Sequence, residues 1–497
     1  MVLLSLIFLI SNARAETLRL TFVNSPTTLD WTGQTNVSNA GTVINVSEGL
    51  FEMSYPGEKL VPAIAKSVSK SKDFKTYTFE INENAVWSDG KPIHSLDFVN
   101  AWKRVISPQS TSIYTQYFFN IVHAQDFYSG KIKNFEEVGI KAPNDRTLIV
   151  KLENAEKDWE IKTSFWPFFP VREDKIEKFG TSWWRAGTLV SSGPFLFESF
   201  EPGKKIILKR NPNYREKITS NIDQVEININ PDRNETLNDF ESGKIHLISD
   251  FDEEKITDRK KLKPIPLKRH YVIMLNTERF PMTNRYFRLA ILSAINQKAL
   301  ISKKTARFQS ADTFIPPEMM KTKEKVSVSY DPTKAKEYLK KSGIVINKEL
   351  RLTLPSGIGE PLTSITKKIA EQIEATLGIP VNVPVLSSDE YETFSSLGEF
   401  NLLMVSWSAK IKTAKDFLNP FYTGYGMKTV SRFKSDDFND AFERNDLIRA
   451  QKIISVENAV SNPLFFETAF FMNSDKIKNA QYDSKGLPIL KYITFKK

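Results

Sequence analysis

Residues 349–385 constrain the architecture most. Leu350–Leu354 reads as a strand, Ile365, Ile369, Ile373 and Leu377 recur at helical spacing up to Gly378, and Val381–Val385 reads as a second strand. Two strands joined through a helix imply parallel pairing, because an antiparallel pair can be joined by a tight turn. Gly378 sits where a helix end calls for a left-handed residue. The apolar run Phe400–Trp407 adds a further strand, so residues 270–480 are expected to be α/β.

At 497 residues the chain exceeds what one hydrophobic core usually serves, and two or three domains are expected. TLRLTFV (17–23) and Tyr77–Ile81 alternate as half-buried strands, and Ser88-Asp89-Gly90 marks a turn. From Ser95 to Ile106 the spacing predicts a helix with Phe98, Trp102 and Val105 on one face and Ser95 as its cap. Residues 143–153 read as a turn and a strand, and 191–215 as a hairpin. Residues 284–301 place Phe287, Ile291, Ala294 and Ile295 on a helical face, while Asp331, Pro332 and Gly343 bracket another helix. Residues 49–172 thus look like a separate α+β insert.

Apolar residues at 40% and charged residues at 26% argue against both a disordered tail and an integral membrane protein. Cysteine is absent, which excludes disulfides, thiol catalysis and a lipid anchor on cysteine. Residues 1–15 hold an apolar run from Val2 to Ile10 and then Ala13-Arg14-Ala15, which fits a signal peptide with Glu16 as the mature start. No Lys or Arg precedes that run, and the alternatives are a true start upstream or a buried strand. Export without an anchor implies a periplasm, and no later stretch approaches the roughly 20 uncharged residues of a membrane span. The net charge of +10 is spread over runs such as KKLKPIPLKR (260–269), read here as solvated surface, with no aromatic-basic platform for nucleic acid. Neither a nucleic-acid partner nor membrane insertion is expected.

Catalytic chemistry finds little support. His94, His123, His246 and His270 lie far apart, with no pair at metal-ligand spacing. Ser67-x-x-Lys70 and Ser69-x-x-Lys72 lack the Lys-Thr-Gly that would complete a penicillin-recognising set, and GIGEP (357–361) is followed by no Lys-Ser/Thr. Asp436-Asp437 and Glu253-Glu254 sit on polar stretches. No metal, no cofactor and no enzymatic activity is expected.

VWSDGKPIHSLDFVNAWKRVISPQS (86–110) resembles the signature region of the family-5 extracellular solute-binding proteins, the oligopeptide-binding proteins of ABC importers. Collinear blocks extend the resemblance over nearly the whole chain: TLD (28–30), SEGLFE (47–52), LVPAIAKS (60–67), VKLE (150–153), the FG…W…G…V-x-S-G-P-F block (179–195), LKRNPNY (208–214), the LNT…N-x-x-x-R-L-A block (275–290), and SW with DFLNPF (406–421). It implies an α/β, two-lobed periplasmic binding protein fold of type II with an inserted α+β domain. The discontinuous first lobe would comprise 16–48, 173–270 and 478–497, the insert 49–172 and the second lobe 271–477. The implied function is to bind a peptide or peptide-like, anionic small molecule in a closed interlobe cleft, as a monomer, and to deliver it to ABC-importer permease subunits.

The resemblance also implies a site. Tyr114 falls at a cleft-lining tyrosine of the insert, Tyr391 stands where peptide binders often have tryptophan, and Trp407 matches a strand-end tryptophan. Main-chain pairing is implied for Val405 to Ala409, including Ser408, and for Thr35-Asn36-Val37 on the opposite lobe. Two departures stand out. Peptide binders typically read x-Ala-Asp after the tryptophan, with the aspartate on the ligand's ammonium, whereas this chain reads Ser408-Ala409-Lys410; and Met404 stands where some members place arginine. Like charges about 4 Å apart at an effective dielectric near 20 repel by about 4 kcal/mol, so Lys410 disfavours a free amine there. A loop shift with Asp416 as the pairing acid is the alternative. A sensor or scaffold would use the same cleft, and an exported hydrolase would need a His or Ser-Lys pair converging in it.

Overall fold

The computed structural model describes residues 16–33, 37–54, 59–301, 307–320, 324–345, 352–356, 361–409, 413–423 and 429–496. Among them one nine-stranded sheet forms the spine. Its order is Leu402–Ser408, Lys263–Leu275, Ser461–Asn473, Leu247–Ile248, Thr17–Phe22, Gln224–Ile229, Lys205–Arg210 and Phe195–Glu201, and Phe308–Ser310 also pairs with Ser461–Asn473. Thr17–Phe22 alternates as its sequence predicts and runs parallel to Gln224–Ile229, with Leu18 and Leu20 in the core. The 195–210 hairpin closes that edge.

Two strands of 13 residues, Lys263–Leu275 and Ser461–Asn473, are far longer than the usual five or six. They pair antiparallel and pass between two apolar cores. Ile265 and Phe471 belong to one core, while Tyr271, Ile273, Leu275, Leu464 and Phe465 belong to another. Their register shifts between Ile265 and Arg269, in the passage from one core to the other. An interrupted ladder bends more easily than a continuous one.

The first core joins Leu18, Leu20 and Val225 to Tyr77, Phe79, Trp102, Trp159 and Phe168 without a gap. The segment 49–172 contributes the four-stranded antiparallel sheet Ala65–Lys70, Thr76–Ile81, Thr147–Lys151 and Ile140–Asn144 to it. The helix Ser95–Val105 buries Phe98, Trp102 and Val105 there. Its cap is His94, one residue before the expected Ser95. The Asp97 carboxylate accepts the His94 N–H at 2.9 Å, while the Ser95 hydroxyl donates to the Asn144 carbonyl at 2.6 Å and ties the helix to the hairpin.

In the second core the strand–helix–strand unit has the expected parallel pairing, Leu352–Thr353 with Val381–Asn382. The helix Leu362–Leu377 buries Ile365, Ile369, Ile373 and Leu377, and Gly378 closes it at φ +69°. A parallel bridge of Ser356 with Val385 carries the pairing to the expected end of the second strand, Leu350 and Arg351 lie outside the described residues, and the pair stands apart from the spine as a two-stranded sheet. The helix expected over 284–301 is two helices, Arg285–Ser293 and Gln297–Leu300, because the Asn296 side chain accepts the Ala299 N–H and starts a new helix. Asp331 and Gly343 bound the helix Pro332–Ser342 as predicted.

Candidate functional site

Leu402–Ser408 ends the spine, so one side of it pairs with Lys263–Leu275 and, among the described residues, no strand pairs with its other edge. The 3-10 turn Thr115–Phe118, entered from Tyr114, comes from the first-core side. The run Ala414–Phe421 comes from the second side, where Thr413 accepts the Asp416 N–H. Between these elements lie two adjoining cavities of about 420 and about 430 Å³, which share Gln116, Tyr117 and Trp407. Each falls in the size range of small-molecule sites.

The walls touch across the gap. The Tyr117 hydroxyl donates to the buried Asp416 carboxylate at 3.2 Å, 299 positions apart in the chain. Burial pushes the Glu156 carboxyl up, but the Lys162 ammonium at 2.8 Å, the Asn120 amide and Lys415 on the opposite wall outweigh it and hold that carboxyl below its usual range. Burial lowers the Lys415 ammonium in turn, against the pull of Glu156. Lys415 lies 4.3 Å from the Phe442 ring centre.

The smaller set of lining residues is more selective in charge. Ile113, Tyr114, Gln116, Tyr117, Ser406, Trp407 and Ser408 line the second cavity together with Arg269, its one charged lining residue among those described. Arg269 Nε donates to Ser408 Oγ at 3.1 Å and Nη1 to the Glu467 carboxylate at 3.0 Å. Glu467, with 1% of its side chain exposed, also accepts from Arg307 and from the Tyr271 hydroxyl. Arg307 reaches on to Glu253 at 3.6 Å, and burial raises the Glu253 carboxyl. The expectation that KKLKPIPLKR is solvated surface is therefore corrected at its end: residues 263–269 enter a long strand and Arg269 turns to the cavity, because cross-strand Ser408 and Glu467 hold its head.

Trp407 lines both cavities, and its Nε1 donates to the Asp416 carbonyl at 2.9 Å. Tyr114 packs edge-to-face on Phe165 and Trp166. Tyr391 lines neither cavity; its hydroxyl donates to the Met404 carbonyl at 2.7 Å, and burial raises its phenol. The Met404 side chain lies in the second core, Val405 packs on the neighbouring apolar cluster, and Ala409 is buried within that cluster. Val37 begins the helix Val37–Val46 instead of continuing a loop. Thr35, Asn36, Lys410 and the segment 1–15 lie outside the described residues.

Local patterning did not single out Gln116, Tyr117 or Arg269. Tyr117 and Gln116 sit in TSIYTQY beside Tyr114, and their proximity to a matched tyrosine was the available signal. No histidine lines either cavity. His270, next to Arg269, is buried with its Nδ1–H donating to the Phe314 carbonyl at 2.6 Å, and burial brings its pKa down to about 4. Among the described residues no group of three or more His, Asp or Glu could hold a metal, and no helix is long and apolar enough to cross a membrane.

Residues 59–429 match the model for bacterial extracellular solute-binding proteins, family 5. The chain is a family-5 extracellular solute-binding protein. This binding protein is 25% identical to the oligopeptide-binding protein OppA of Bacillus subtilis over 91% of its own length and 88% of the relative's. It is 26% identical to the probable deoxycholate-binding periplasmic protein YgiS of Escherichia coli, over 89% and 86%. The structure of Haemophilus influenzae OppA in complex with RPPGFSPFR superposes with a TM-score of 0.85 at 20% identity, covering 97% of the binding protein and 99% of that chain. The expected two-lobed α/β fold of the family is thus the fold of this chain.

Proposed function

We propose that the binding protein receives a peptide or peptide-like solute in the cleft between the 113–162 wall and the 404–444 wall, in a periplasm, and hands it to the permease subunits of an ABC importer without chemical change. The observation that carries this reading is the edge of Leu402–Ser408 that no described strand pairs with, opening on the cavities. Tyr391 occupies the outward carbonyl of Met404. Main-chain groups alternate along a strand, so those of Ser406 and Ser408 turn to the same edge, and both residues line the second cavity. An extended ligand pairs there through backbone hydrogen bonds that ignore its side chains, which suits a carrier of varied peptides.

Gln116 adds a second support. Its Oε1 is buried with no hydrogen-bond partner, and Gln116 lines both cavities. A buried polar atom left unpaired costs about 1–3 kcal/mol, which a donor on a bound ligand recovers. The curated relatives' names, oligopeptide-binding and deoxycholate-binding, agree with a solute carrier whose ligand varies.

Calorimetry with tri- and tetrapeptide pools tests the reading. At least one pool is expected to bind at micromolar affinity or tighter and to be recovered intact. Cleavage of the peptides, or no binding from any pool while a non-peptide solute saturates the protein, would contradict it.

A further inference from the structure

We propose that Arg269 is the receptor for a carboxylate of the solute, and that the cavity between Tyr114 and Trp407 takes the carboxyl-terminal residue of a peptide or an N-acyl amino acid. This rests on the reading of the cleft as the solute site. Three observations place that chemistry together.

The first is the charge of the wall. Arg269 is the one ionised group among the described lining residues, so this end of the cleft offers a cation and no carboxylate. Glu467 stands behind it, but one carboxylate there serves two guanidinium groups, Arg269 and Arg307. Glu253 pairs with Arg307 at 3.6 Å and is not among the residues that line the cavity. Arg269 is thus the one charged head that the described lining residues present to this cavity.

The second is the geometry of the head. A guanidinium has five N–H donors in a rigid fork. Ser408 and Glu467 take one each and fix the plane, 27% of the side chain stays accessible, and the residue lines the cavity. A fork already oriented loses little entropy when it closes on a carboxylate, and a charge-assisted pair is the strongest hydrogen bond available to it.

The third is Gln116. Gln116 lines the same cavity, and its Oε1 is buried without a hydrogen-bond partner, so a small side-chain rotation lets it accept an N–H from a guest. A carboxyl-terminal residue carries a carboxylate and an amide N–H on one α-carbon. A free amino-terminal residue brings an ammonium instead, which meets Arg269 with like charge.

Four matched probes decide the matter on the full chain: tri-alanine with both ends free, N-acetyl-tri-alanine, tri-alanine amide and N-acetyl-tri-alanine amide. N-acetyl-tri-alanine is expected to bind the wild type at least about 30-fold more tightly than either amide, the range of a charge-assisted hydrogen bond. Arg269→Gln is expected to remove that preference, so that N-acetyl-tri-alanine and N-acetyl-tri-alanine amide bind alike. Millimolar acetate is expected to compete with N-acetyl-tri-alanine on the wild type, a readout that needs no variant. Binding of tri-alanine amide equal to or tighter than N-acetyl-tri-alanine would overturn the inference while leaving the peptide reading intact. If deoxycholate binds in an Arg269-dependent way and all four peptides fail, the carboxylate site stands and the peptide reading falls. Failure of every carboxylate probe would overturn the inference.

Discussion

Trp407→Ala is expected to weaken solute binding by at least about a hundred-fold, the loss typical of a buried aromatic anchor. The side chain borders both cavities, so a solute in the proposed cleft meets it from either one. It also holds the opposite turn, because Nε1 donates to the Asp416 carbonyl while the Asp416 carboxylate accepts from Tyr117. Alanine removes the ring and leaves that carbonyl without this donor. Trp407→Phe keeps a ring and loses only the indole N–H, so it should fall between wild type and alanine. Titration calorimetry of the three proteins with one peptide pool checks the order. Equal affinities for wild type and alanine would place the ligand elsewhere.

The second large effect concerns folding. Glu467→Gln should lower the free energy of unfolding by about 3 kcal/mol, at the lower end for a broken buried ion pair because the two guanidinium groups stay about a quarter exposed. Glutamine keeps the shape but leaves Arg269 and Arg307 facing each other with the charge between them gone. Adding Arg307→Met removes one of the two cations, and the double variant should recover part of the loss. Urea unfolding monitored by tryptophan fluorescence measures both. A change below about 0.5 kcal/mol in the single variant would mean that solvent already screens the pair. These residues lie on or beside the long strands, so the same network stiffens the passage between the cores.

What the sequence disclosed followed from local periodicity and from collinear motifs. The helix Leu362–Leu377 was legible because Ile365, Ile369 and Ile373 repeat at one face and Gly378 ends it. Trp407 was legible because it sits in a block shared in order with a family, and Tyr114 because TSIYTQY falls at a cleft-lining tyrosine of that family; both line the second cavity. The long strand Lys263–Leu275 was not, since Pro264, Pro266 and several lysines make its first half look like a loop. Such residues are tolerated where the ladder is irregular, between Ile265 and Arg269. Ser95 and the break at Asn296 show the same limit at helix ends, where a tertiary partner or a side-chain cap decides the boundary. Arg269 depended on a long-range partner, Glu467, which no local window contains.

Closure of two walls on a guest can be followed as a distance. The chain has no cysteine, so Lys131→Cys and Asp437→Cys, at exposed positions on opposite sides of the cleft, give a single pair of spin-label sites. Double electron–electron resonance with the tightest-binding peptide should show one short, narrow distance when the protein is saturated and a longer, broader distribution without ligand. An identical distribution in both states, with binding verified by calorimetry on the same labelled sample, would contradict the account.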